Sequence, residues 1–447
     1  MSADTEASPD GARPLGMLHV AAIVVGAIVG VGIFFTPGSL ARAMPSPAWV
    51  LGIWLLGGVA SVAGAFVFAE LGGRFPQAGG LYVFLREGFG ARAGPFVAFQ
   101  YGWLQLLVVQ PGSMAIIAIV LVDHVEFLTG ALDPSLKTTM AVGVTALFTG
   151  ANLLGLKTGG RIQIVVAALK LGALALLVLL GVFYGDAGRI AQARSTTPEG
   201  GPLTWLVLGL IPVLFSFGGA YHGTYVAGSV KDARRAVPRG ILLGIAVVLV
   251  GYLGVNVALL GLLGHDGLAA STSPAAEATA LALGPLAGKV LAGVIVVSAA
   301  GILNTICLGF PFVLYAMARD GLFFAKAGEL SARTGRPAAA VAMQGALACV
   351  AILVGASRVD VLLKGITFAD ALFQGGVAIV HLRLAGTPLP PGVLVRAPAV
   401  LAWIFLLLEV GLAIGSLAGA PVESAYGAVV LIVGVGAFWA FKRGGTS

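Results

Sequence analysis

Charge is what this sequence has least of. Only 10% of its 447 residues are Asp, Glu, Lys or Arg, against about 25% in soluble domains. Hydrophobic residues make up 58%, and the mean hydropathy is +1.01. Those values exclude a water-soluble enzyme. Cysteine is nearly absent: Cys307 and Cys349 both fall in apolar runs without a metal-ligand neighbour, and read as small packing residues. Five histidines (His19, His124, His222, His265 and His381) are scattered along the chain. They form no HExxH pair, and no serine-centred elbow accompanies them, so a membrane enzyme would lack its reactive cluster. No metal and no cofactor is expected. The stretch from Met1 to Arg13 carries Asp4, Glu6 and Asp10 and has neither the basic start nor the small-residue cleavage pattern of a signal peptide. Residues 1–16 therefore read as a cytoplasmic tail.

What is present is apolar sequence in long runs. Twelve spans of about 21 residues need about 250 positions, which nearly exhausts the hydrophobic content and leaves no room for a separate soluble domain. The runs lie at 17–41, 46–72, 94–122, 138–155, 162–184, 204–229, 238–264, 287–317, 338–356, 362–382, 397–417 and 422–441. An even count puts both termini on one side. With that side cytoplasmic, the inner breaks and tails hold eighteen Lys and Arg, the outer breaks seven, and Lys170 is left inside a span. The asymmetry predicts cytoplasmic N- and C-termini in the cell membrane, with residues 442–447 as a short cytoplasmic tail. It also explains the net charge of +7 without a nucleic-acid partner, since no polybasic stretch is interleaved with aromatics.

Glycine, at 66 residues, is about twice its usual share of roughly 7%, and two spans carry it in clusters. The first reads Gly26-Ala27-Ile28-Val29-Gly30-Val31-Gly32-Ile33-Phe34, and the sixth reads Phe215-Ser216-Phe217-Gly218-Gly219-Ala220-Tyr221-His222-Gly223. Each glycine weakens a helix by roughly 1 kcal/mol relative to alanine, so the clusters mark unwinding points; tight packing through small residues is the other reading of either cluster alone. Interruptions at corresponding places in two five-span halves point to an inverted-repeat transporter. No sequence identity links the halves.

At these residues the chain resembles the amino acid–polyamine–organocation superfamily, and within it the L-type amino acid transporters. Gly30-Val31-Gly32-Ile33-Phe34 is similar to the first-span motif, with Val31 in place of a serine. Ala69-Glu70-Leu71-Gly72, followed by Phe75-Pro76-Gln77-Ala78-Gly79-Gly80-Leu81-Tyr82-Val83-Phe84-Leu85 and Phe89-Gly90, resembles the signature at the cytoplasmic end of span 2 and its loop helix. Asn152 with Gly155, Gln163 with Lys170, Asn304, and Arg319-Asp320-Gly321 extend the likeness over nearly the whole chain. The resemblance implies an all-α polytopic membrane protein of LeuT type: repeats at 17–184 (spans 1–5) and 204–382 (spans 6–10), with two additional helices at 397–441. The implied activity is amino acid transport by alternating access, as exchanger or facilitator, with a polyamine or cationic permease and a non-transporting sensor as the alternatives.

Unwinding a span at mid-membrane frees backbone groups that suit a zwitterion. Val31, Gly32 and Ile33, next to Ile28, are expected to donate N–H groups to the substrate carboxylate. Phe217, Gly218 and Ala220 are expected to offer carbonyls to its ammonium. Phe215 either closes over the substrate, as the resemblance implies, or merely packs. Ala220 stands where relatives place a Trp and enlarges the pocket, and Tyr221 and His222 add polar groups. His222 either titrates near neutral pH or is hydrogen-bonded within the bundle. Lys170 is too deep to snorkel comfortably; in similar transporters a lysine here fills the sodium position between spans 5, 1 and 8, which implies sodium-independent transport. Glu70 and Glu87 read as charges in an inner gate network. Asp370 and Glu409 either line the site or make local hydrogen bonds. Because 204–230 holds no Asp or Glu, neutral amino acids are the expected substrates. In animal transporters that the chain resembles, a disulfide from the loop between spans 3 and 4 holds a heavy chain; here that loop, Asp123 to Lys137, has no cysteine, so no disulfide-linked heavy chain is expected.

Overall fold

The computed structural model describes residues 15–154, 159–191, 201–271, 273–355, 359–419 and 421–444. They are almost entirely helical, and the only β pairing among them is a single bridge from Leu15 to Val230. The first predicted span is two helices, α1 (Met17–Ile28) and α2 (Val31–Ala43). Span 2 is α3 (Pro47–Arg74), followed by the loop helix α4 (Leu81–Gly88). Span 3 is longer than its apolar run: α5 (Gly90–Leu104) continues through a π segment, Gln105–Val109, into α6 (Gln110–Thr129). Spans 4 and 5 are α7 (Pro134–Leu153) and α8 (Gly159–Tyr184), with the short α9 (Ala187–Ala191) after them.

Span 6 breaks into α10 (Pro202–Phe217) and the single turn α11 (His222–Tyr225). Span 7 is α12 (Ala233–Ala270), interrupted at Gly264, and α13 (Pro274–Leu283) follows it. This last helix has no counterpart among the expected spans, because ten alanine-rich residues are too few to register as an apolar run. Span 8 splits at Pro311 into α14 (Pro285–Gly309) and α15 (Pro311–Arg319). Spans 9 to 12 are α16 (Ala338–Gly355), α17 (Val359–Leu384), α18 (Ala399–Gly419) and α19 (Pro421–Gly444). Proline opens many of these helices, at Pro47, Pro134, Pro202, Pro274, Pro285 and Pro311, where its missing N–H would have had no partner anyway.

Among the described residues nine helical segments are long and apolar enough to cross a membrane. α7 and α17 coincide with expected spans without being among those nine, and α16 is a shorter apolar helix. Large apolar side chains point outward, Phe183 at 74% and Val354 at 80% exposed, a surface suited to lipid rather than to water. Packing of the spans has a regularity of its own. Adding or subtracting five in each span number turns the pairing of spans 1 and 7 (α1 on α12) into that of 6 and 2 (α10 on α3). It likewise turns 3 with 9 (α6 on α16) into 8 with 4 (α14 on α7), and 3 with 10 (α6 on α17) into 8 with 5 (α14 on α8).

Candidate functional site

Both glycine clusters are breaks, and the two lie against each other. The first is short: Val29 and Gly30 are extended, and α2 restarts at Val31. A side chain at Gly32 would stand 2.8 Å from Ser216 Oγ and 3.0 Å from Ser216 Cα. Thr36 Oγ1 and Ser216 Oγ are hydrogen-bonded at 2.8 Å. From the other side, Gly219 has φ +118°, and a Cβ there would come within 3.1 Å of the Ala27 methyl. Only glycine takes that backbone without strain, and only glycine leaves room for Ala27.

The carbonyls freed by the first break have partners. Lys170, 1% exposed, donates its ammonium to Gly26 O at 2.8 Å, and its chain passes beside Gly301 of α14. Tyr252 of α12 donates its hydroxyl to Ile28 O at 2.8 Å and approaches Ser216 O at 3.2 Å, so one phenol ties both breaks. Trp54 packs edge-on against both Phe217 and Tyr252. In the second break the turn bonds run to the carbonyls of Phe215, Gly219 and Tyr221. Those of Phe217, Gly218 and Ala220 take no part in them among the described residues.

Between the breaks is a cavity of about 160 Å³, close to the ~150 Å³ of an engineered cavity that admits benzene. Of the expected residues, Ile28, Gly32, Phe215, Phe217, Gly218, Ala220, Tyr221 and His222 are on its wall. The Ile33 side chain is fully buried and off the wall; the role expected of Ile33 was that of its backbone N–H, in the first turn of α2. Val31 opens α2, and its side chain lies outside the described residues. Lys170 is also off the wall, one layer behind it. His222 stacks on Tyr221 and bonds its Nδ1 to Gly219 O at 3.1 Å.

The opposite wall was less legible. Phe68 of α3 and Phe405 of α18 close it, edge to face at 5.5 Å. Asp370 of α17 and Glu409 of α18, for which the sequence left lining the site or local hydrogen bonds open, both line the cavity, whereas the argument for neutral substrates considered span 6 alone. Asp370 accepts from Gln374 at 2.6 Å, Gln105 at 2.9 Å and Tyr221 at 3.4 Å. Gln105 in turn accepts from Gln110 at 2.7 Å. Tyr252 carried no signal in the sequence, being one aromatic in an apolar run.

At the C-terminal end of α3, Glu70 binds Arg74 at 2.8 Å, His381 Nε2 at 3.0 Å and the Ala397 N–H at 2.7 Å, fastening α3 to α17 and to the segment before α18. Arg86 and the Tyr82 hydroxyl converge on Asp320 at 2.6 and 2.7 Å. Burial, then the adjacent Asp320 carboxylate, push the Tyr82 phenol above its ordinary range. Burial works against the Arg86 cation, but hydrogen bonds to Asp320 and Glu87 outweigh it and leave the guanidinium above its ordinary value. Glu87 pairs with Arg86 at 2.8 Å. Asn152 and Asn304 meet at 3.0 Å, joining spans 4 and 8. Gly155 and the Gln163 side chain lie outside the described residues.

A polytopic helical bundle in which two glycine-broken spans meet at a shared cavity is the architecture of a secondary transporter. The chain belongs to the amino acid permease family, whose sequence model matches residues 15–440. It is a transporter and not an enzyme, and its similarities lie with L-type amino acid transporters. It is similar to the serine/threonine exchanger SteT of Bacillus subtilis (strain 168), 27% identical over 381 residues, covering 84% of each chain. It is 29% identical over 371 residues to the b(0,+)-type amino acid transporter 1 of Mus musculus, covering 81% of this chain and 74% of that one. The cystine/glutamate transporter of Homo sapiens is 26% identical over 438 residues, covering 96% of this chain and 85% of that one.

Proposed function

We propose that this protein moves amino acids across the cell membrane by alternating access, without sodium, as an exchanger or facilitator. The observation that carries the reading is the contact of the two breaks around one cavity, Gly32 against Ser216 and Gly219 against Ala27. A zwitterion suits such a place: the first N–H groups of α2 have no intrahelical partner, and the carbonyls of Phe217, Gly218 and Ala220 lie outside the turn's own bonds. Residues 17–184 and 204–382 would be the two halves that rock against each other, a reading supported by the exchange of packed span pairs, with 397–441 appended. Lys170 replaces a coupling cation with its own ammonium. The eighteen-to-seven distribution of Lys and Arg supports cytoplasmic termini.

Neutral side chains are the proposed substrates, since apolar atoms gain about 25 cal/mol per Å² buried and Phe68, Phe405, Ile302 and Leu412 supply apolar wall. A cationic or polyamine substrate is the second reading, favoured by Asp370 and Glu409 on that wall. The protein is proposed to act as a single chain without a covalently attached subunit. Radiolabelled amino acid uptake and counterflow in liposomes holding only the purified chain test these statements. Accumulation supports transport by the chain alone, and binding without accumulation makes the protein a sensor. Arginine or putrescine as the strongest competitor overturns the neutral preference.

A further inference from the structure

Transport of neutral amino acids, as read above, leaves the two carboxylates on the cavity wall without a role. Asp370 is surrounded by donors: two side-chain amides and a phenol point at it, and Gln110 behind Gln105 fixes the direction of the chain. A carboxylate that only accepts is an anion. Glu409 is its opposite. It is 6% exposed and lines the same cavity, and it accepts no hydrogen bond among the described residues. Its neighbours along the wall are Phe405, Leu408 and Leu412, and its Cβ lies against Gly375, one residue past Gln374. No lysine or arginine is among the wall residues.

Two carboxylates in one low-dielectric site do not both stay ionised; one takes a proton or a cation comes between them. An ammonium or guanidinium there would need several further acceptors. Asp370 already receives three donors, and the aliphatic and aromatic neighbours of Glu409 offer none. A neutral carboxylic acid, by contrast, fits an apolar wall. We infer that the Asp370–Glu409 wall is a proton site, and that Glu409 carries a proton across the membrane together with the amino acid. The inference rests on the alternating-access transport read above and replaces its exchanger-or-facilitator alternative with proton-coupled net uptake. In the step, the Glu409 carboxylate takes a proton from water on one side while the cavity is open there, and the proton leaves to water on the other side after the halves have rocked. Asp370, held by its amides, stays charged and keeps the site attractive to the incoming proton.

Other titratable groups around α18 are already engaged or distant along their helices. α10 has none over Pro202–Phe217. At the C-terminal end of α3, Glu70 and Arg74 bind each other and His381 of α17. Arg383 of α17 lies over Phe89, and on α19 Lys442 lies over Phe438 and Trp439 beside Arg443 at the helix end. The side chains of Asp360, Lys364 and Glu423 lie outside the described residues. Tyr221 and His222, on the cavity wall, are bonded to Asp370 and to Gly219 O respectively.

The test is net uptake of a neutral amino acid into liposomes that contain the purified full chain and a trapped pH dye, alongside labelled counterflow. The wild type is expected to acidify the lumen in proportion to the amino acid taken up. Glu409→Gln is expected to lose that acidification per amino acid whatever its rate. Glu409→Asp, which keeps a carboxyl, is expected to retain it, and decides the matter should the Gln variant be silent. If no label enters in either assay, the transport reading fails first. Label entering by counterflow alone, or without acidification, overturns this inference alone. So does a Gln variant with an unchanged proton ratio, an Asp variant that transports without acidifying, or a wild type that moves no proton and takes lysine best.

Discussion

The two helix breaks do different work, although the sequence presents them as twins. In the first, two extended residues separate α1 from α2, and α2 then runs for 13 residues, long enough for its N-terminus to act on an anion. Its freed carbonyls are occupied, Gly26 by Lys170 and Ile28 by Tyr252. In the second, the chain after Gly218 passes through turns into a helix of four residues, α11, which has too few aligned peptides for a comparable field. Side chains take over instead: Ala220, Tyr221 and His222 all face the cavity. The first break is thus a backbone device held by neighbours, and the second a side-chain surface shaped by glycine.

The largest effect should come from removing the support of the first break. Lys170→Ala leaves the buried Gly26 carbonyl without its donor, at about 1–3 kcal/mol, and transport should fall by about tenfold or more with the protein still in the membrane. Uptake normalised to membrane content measures this, and wild-type activity would mean that the lysine is not part of the device. Tyr252→Phe removes the one hydroxyl shared by Ile28 O and Ser216 O. A loss of several-fold in uptake and a lower unfolding temperature in detergent are expected, and an unchanged thermal curve would separate the breaks from each other.

Gly219→Ala probes the second break. The positive φ disfavours alanine by about 1–2 kcal/mol, and the added methyl meets Ala27. Substrate affinity should weaken several-fold, read as a rise in the half-saturating concentration, while an unaffected value would show that the turn tolerates another shape. A smaller, qualitative change is expected from Ala220→Trp, which fills cavity space and should shift competition toward alanine and serine. No shift would place residue 220 outside the substrate's reach. Replacing sodium by choline should change nothing, and a several-fold drop would return the ion to the position assigned to Lys170.

Much of this was legible in one dimension. Apolar runs marked the nine described helical segments long and apolar enough to cross a membrane, because a segment in lipid must satisfy its backbone internally and so declares itself by length and hydropathy. Glycine clusters marked both breaks, and a charge inside an apolar run singled out Lys170. Span ends were less visible: α5 to α6 runs on through a π segment whose residues look like any other apolar stretch, and α13 is too short to register.

What the sequence determined alone is the class of the molecule: a bundle of membrane helices with glycine clusters in two of them and a lysine inside an apolar run. Tertiary structure decided which groups meet. Tyr252 reaches across 224 positions to Ile28, and Asp370 reaches 149 back to Tyr221. The reason is physical: hydropathy and helix propensity are local and add up along the chain, whereas a cavity's charge depends on side chains from α17 and α18 that packing alone brings to it. An argument confined to span 6 found a neutral pocket; the folded chain sets two carboxyl groups in its wall.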